Sequence, residues 1–146
     1  MVSPELIQET IAQSLASIRS VMDDPDVTEI MVNATGQVWV EARGEIRNVG
    51  VVLPEHDREI ALRAVAATVG QDLTAGTDKA VVSMSLGGMR FAGALKGVDP
   101  LGTALSVRKH LDPSRRPTLE QLVAGGMLTE KQAQTLLDLI IHQELN

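Results

Sequence analysis

The feature that most constrains this chain is a period-two alternation of apolar residues, repeated in short segments and cut by glycine turns. Ile30 and Val32 alternate with Glu29 and Met31, and Val38 and Val40 with Trp39 and Glu41. Asn33-Ala34-Thr35-Gly36 separates these two segments. A second turn near Arg43-Gly44 leads to a third segment carried by Ile46 and Val49. Later, Val82, Met84 and Leu86 alternate with Ser83 and Ser85, and Gly87-Gly88 turns the chain. Met89, Phe91, Gly93 and Leu95 then alternate with Arg90, Ala92, Ala94 and Lys96. After a loop at 97–102, Thr103, Leu105 and Val107 alternate with Ala104, Ser106 and Arg108. Alternation places successive side chains on opposite faces of a strand. Turns this short cannot hold a crossover, so neighbouring strands pair antiparallel.

Helical patterns separate and flank the two groups of strands. Over 3–22, Ile7, Ile11, Leu15, Ile18 and Met22 form one stripe, with Ser3 as cap, Pro4 at the first helical position and Asp23-Asp24-Pro25 as the stop. Over 55–69, Ile60, Leu62, Ala64, Val65 and Val69 supply the apolar side, and Gly70 ends the pattern. A polar, proline-flanked stretch at 112–117 follows the last strand. Thr118 with Gln121 and Thr129 with Gln132 then open two short helices as capping boxes. The expected fold is α+β: an antiparallel sheet of about six strands flanked by helices, with a helical linker region at the C-terminal end. The expected division is a domain over 1–111 and a linker with helices over 112–146.

Composition narrows the function. The 146 residues carry a net charge of −6, which argues against direct nucleic-acid binding through a basic face. With no cysteine there is no disulfide, thiolate metal site or cysteine nucleophile, and His56, His110 and His142 lie too far apart in sequence for a helical metal pair. One Trp, one Phe and no Tyr leave the core to aliphatic side chains. The start lacks a signal-peptide pattern and no apolar run reaches the roughly 18 residues of a membrane span, so the chain reads as soluble and cytoplasmic.

The search for catalytic motifs is negative. G-x-x-x-x-G-K-[ST] is absent; the span from Gly88 to Gly93 comes nearest but continues with Ala94 and Leu95. No catalytic residue and no metal ligand is assigned. One constellation remains. A connecting loop at 97–102 brings Arg90 opposite residue 108 or 109, on the face that lacks Met89, Phe91 and Leu105. Like charges directly opposite repel, whereas an anion bridging two guanidiniums reverses that sign. The alternatives are two solvated arginines, each arginine paired with a nearby Glu, or a register slip that turns one of them to the other face. Trp39 reads as a strand residue packed beneath a helix, with a stacking or interface role as the alternative. Arg115 and Arg116 read as a solvated linker.

Three stretches in order carry a resemblance: DVTEIMVNATGQVWVE at 26–41, GGMRFAGAL with GTALSVRKH at 87–110, and PTLEQLVAGGMLT at 117–129. Together they resemble the amino-terminal domain of the type II/type IV secretion ATPases, nearest to the TrbB-type conjugal-transfer ATPases and then the CpaF-type. The resemblance spans roughly residues 24–143. It implies a following RecA-like motor domain that holds the Walker A loop, with ATP and magnesium bound in the full-length protein and neither held tightly by this chain alone. It also implies a homohexamer at the cytoplasmic face of the inner membrane, working with other components of a secretion or conjugation machine. The family's amino-terminal arginines, which reach the nucleotide phosphates, fall on Arg90 and Arg108. The family's I-R-K reads Val107-Arg108-Lys109 here, and its proline-rich turn between the two strands is reduced to Pro100. A chain without the Walker A loop is expected to be inactive in hydrolysis by itself. The competing reading is a free-standing protein–protein interaction module on the same scaffold. A small enzyme with an unrecognised site has no nucleophile–base pattern behind it.

Overall fold

The computed structural model describes residues 3–110, 114 and 116–142. The chain divides into two compact units, Met1–His110 and Leu111–Asn146. In the first, helix α1 (Pro4–Ser14) is followed by a turn of 3-10 helix (Ala16–Ile18) and the short α2 (Arg19–Asp23). Strands β1 (Val27–Val32), β2 (Gln37–Ala42) and β3 (Glu45–Val52) come next, then α3 (Glu55–Ala67). Strands β4 (Val81–Leu86), β5 (Met89–Ala94) and β6 (Ala104–Lys109) complete the unit.

All six strands form one antiparallel sheet in the order β3-β2-β1-β6-β5-β4. Each group of three is a meander, and the two meanders join where β1 pairs with β6. The expected α+β fold with a six-stranded antiparallel sheet is what the chain adopts.

One face of the sheet is the core. Ile30, Val32, Val38, Val40, Val82, Phe91, Leu105 and Val107 are buried there against Ile11, Leu15 and Ile18 of the first helical segment and Ala61, Leu62 and Val65 of α3. Helix α3 packs close on β5: a Cβ on Gly93 would stand 2.6 Å from Leu62 Cδ1 and 2.7 Å from the Ala104 carbonyl oxygen. Only a residue without a side chain lets helix and strand approach that closely.

The stripe over 3–22 does not form one helix. Ser3 caps α1 by accepting from the Leu6 N–H, and Pro4 sits in the first turn as expected. The helix then stops at Ser14, and Leu15 leaves the helical region at φ −102° and ψ 12°. The Ser14 hydroxyl donates back to the Thr10 and Ile11 carbonyls, a contact that bends helices.

In the second unit, α4 (Leu119–Ala124) and α5 (Glu130–Ile141) both start with complete capping boxes, on Thr118 with Gln121 and on Thr129 with Gln132. Of the polar stretch at 112–117, residues 112, 113 and 115 lie outside the described residues, as does the end of the chain at 143–146.

Candidate functional site

The sheet's other face is left open by the helices of the first unit. It carries Ser83 and Ser85 from β4, Arg90 and Ala92 from β5, Ser106 and Arg108 from β6, Glu29 and Met31 from β1, and Trp39 and Glu41 from β2. Trp39 is therefore not beneath a helix: it lies on this open face and is 36% exposed. Strand parity decides this, because Val38 and Val40 on either side of it are fully buried.

One row crosses this face through five strands. Ser85 is opposite Arg90, Arg90 opposite Arg108, Arg108 opposite Glu29, and Glu29 opposite Glu41. The charges run plus, plus, minus, minus. The register expected from the 97–102 loop is the one observed, and both arginines share a face. Directly opposed residues in an antiparallel pair have Cα atoms about 4.5–5.5 Å apart, so the two guanidiniums can reach a common anion.

The two side chains are held differently. Arg108 donates through Nη2 (3.0 Å) and Nε (3.3 Å) to Glu29 Oε2. The sequence left a Glu pairing open for each arginine; among the described residues it is realised at Arg108 and not at Arg90. Arg90 donates through Nη2 to the Ser83 hydroxyl at 3.2 Å and makes no ion pair among the described residues. The flanking residues of Val107-Arg108-Lys109 are fixed as well. Val107 is fully buried in the core, and the Lys109 ammonium donates to the Asp24 carbonyl. Arg108 is left pointing to the open side.

A network that the sequence did not reveal sets the far end of the same strands. Arg58, in the first turns of α3, is 3% exposed. Its Nε donates to the Thr103 carbonyl (2.8 Å) and its Nη2 to the Ala34 carbonyl (3.0 Å); it also donates to the Leu53 carbonyl and pairs with Glu55. The Glu55 carboxylate accepts from the Thr103 N–H and from its hydroxyl, the latter at 2.7 Å. That hydroxyl in turn accepts from the Lys96 N–H. Burial alone would raise the Glu55 carboxyl, but the two Thr103 donors and the Arg58 charge outweigh it and hold it below the ordinary glutamate range. Gly102, at φ +156°, leaves no room for a Cβ beside the Ala34 carbonyl, Glu55 and Arg58. The network thus ties the β1–β2 turn, the end of β3 and the entry to β6 to one helix start. By fixing Thr103 against Lys96, it helps set the β5–β6 register that aligns Arg90 with Arg108. The signal for it was Arg58 at helical spacing from Ala61, Leu62 and Val65, a cation on the apolar side of α3.

Among the described residues no group of three or more His, Asp or Glu side chains is arranged to hold a metal ion. No helix among them is long and apolar enough to cross a membrane.

Comparison with known proteins adds a lineage. No protein-family model matches the chain. It is 30% identical over 134 residues to the probable conjugal transfer protein TrbB of Sinorhizobium fredii, covering 89% of this chain and 38% of that protein. It is 30% identical over 119 residues to the conjugal transfer protein TrbB of Rhizobium radiobacter, covering 79% of this chain and 35% of that one. The chain thus spans somewhat more than a third of the length of these relatives. The fold is similar to that of the VirB11 ATPase from the Brucella suis type IV secretion system, solved in complex with sulphate. The TM-score is 0.67 at 23% identity, over 92% of this chain and 44% of that one.

Proposed function

We propose that this chain, similar to the TrbB conjugal transfer proteins over most of its length, is the amino-terminal domain of a secretion ATPase of their kind. Its role is to help form the ring and to bring Arg90 and Arg108 to the phosphates of a nucleotide held mainly by a P-loop domain that follows. The observation that carries this reading is the pairing of Arg90 directly opposite Arg108 on an open face. Two like charges side by side are unfavourable until an anion joins them, and guanidiniums match phosphate oxygens in geometry and charge.

Two guanidiniums can take phosphate oxygens. In this reading ATP and magnesium are held mainly by the domain that follows, and hydrolysis is expected only when the two domains act together. In the whole protein, a rigid-body motion of this domain against the one that follows would couple hydrolysis to transport. The assembly is a homohexamer at the cytoplasmic face of the inner membrane, in contact with other components of the machine.

The reading requires a motif that this chain lacks. The coding sequence beyond residue 146 is expected to carry G-x-x-x-x-G-K-[ST] within about the next 15 codons, opening a helix after a strand. A stop codon at that point would remove the motor from the account and leave an interaction module.

A further inference from the structure

The row across the open face holds a carboxylate where a phosphate would bind. Glu29 Oε2 accepts both the Nε and the Nη2 of Arg108. These two donors form one of the two edges by which a guanidinium can take a pair of oxygens. The two partners differ in freedom. The Glu29 side chain is 20% exposed, in one of the two central strands, and that of Arg108 is 66% exposed. The arginine can swing away while the carboxylate stays. Each partner also has a like charge as its other neighbour: Arg90 beside Arg108, and Glu41 beside Glu29. With Glu29 engaged, Arg108 is neutralised and Arg90 tolerates its neighbour. With Arg108 drawn to another anion, Glu29 is left facing Glu41.

We propose that Glu29 is a built-in competitor for phosphate: it occupies Arg108 when no nucleotide is present and sets how strongly the arginine pair takes a polyphosphate. This rests on the phosphate reading of Arg90 and Arg108. Glu29 touches no ligand in this scheme; it positions Arg108 and lowers its availability. An exposed ion pair is weak enough for a multiply charged phosphate to displace, so the competition tunes affinity and speeds release without blocking entry.

The test is an NMR titration of the 146-residue chain with sodium tripolyphosphate at constant ionic strength, following the arginine Nε–Hε signals. Wild type is compared with Glu29→Gln, Glu41→Gln, Arg90→Ala and Arg108→Ala. Glu29→Gln keeps the side-chain shape and removes the charge. It is expected to tighten binding about two- to fivefold, the size of an exposed pair. Glu41→Gln removes the same charge without touching Arg108 and is expected to gain clearly less. In the Glu29→Gln, Arg108→Ala double variant the gain is expected to vanish. Equal gains in Glu29→Gln and Glu41→Gln, or none in either, with binding weakened by the arginine variants, would overturn the competition and leave the phosphate reading standing. Arginine signals that stay fixed in every variant would overturn both.

Discussion

Arg58 shows what a single residue does in this fold. Its charge is inside the protein, yet each donor it aims inward meets a carbonyl or the Glu55 carboxylate. Removing a buried partner leaves the others desolvated and unpaired, so Arg58→Ala is expected to cost about 3–5 kcal/mol in urea unfolding. A cost near zero would mean that water replaces the guanidinium. The Glu55 carboxyl is depressed in the folded state. Its contribution is therefore present above the unfolded-state pKa and is lost as pH falls through the folded value. Glu55→Gln is accordingly expected to flatten the acid limb of the stability profile; an unchanged acid limb would remove Glu55 as its source. The arginines of the open face were legible because period two fixes which face a strand residue takes. For Arg58 the helical spacing signals burial on the apolar side of α3, but its partners were not legible, because the carbonyls lie 5, 24 and 45 residues away and a backbone oxygen has no sequence signature.

At the scale of elements, local chemistry was the readable part. Both capping boxes of the second unit and the Ser3-Pro4 start of α1 formed where their side chains called for them. The end of α1 was hidden because the apolar stripe runs on through Ile18 and Met22, while the break depends on Ser14 bonding backward. The third strand was legible only as a place. It extends to Val52: Ile46 is exposed because it pairs with Glu41 on the open face, and the register shift between Asn48 and Val52 comes where Val49 and Val51 pack against the core. Packing between elements is checked at Gly93, where α3 seats on β5. Gly93→Val places a Cβ only 2.6–2.7 Å from Leu62 Cδ1 and the Ala104 carbonyl oxygen. It is expected to cost about 1–3 kcal/mol by overpacking, read as a lowered urea midpoint. Unchanged stability would mean that α3 can lift from the sheet without penalty.

For the molecule as a whole, the aliphatic core explains how a chain with one buried Phe and an exposed Trp holds a six-stranded sheet. Helices on a single face fill the core and leave the other face free for charge. On that face the fold places two arginines side by side and, among the described residues, gives a carboxylate partner to Arg108 and not to Arg90. Similarity to the TrbB proteins covers most of this chain and a little more than a third of theirs. The most direct test of the central claim is steady-state ATP turnover by the longer protein that carries this chain, comparing wild type with Arg90→Ala and Arg108→Ala under conditions where ring assembly is verified. A drop of about tenfold or more in either variant, equivalent to about 1.4 kcal/mol, is expected if these arginines reach the nucleotide phosphates. Wild-type turnover in both variants, with the ring intact, would contradict the account and make the two arginines ordinary residues of an open sheet.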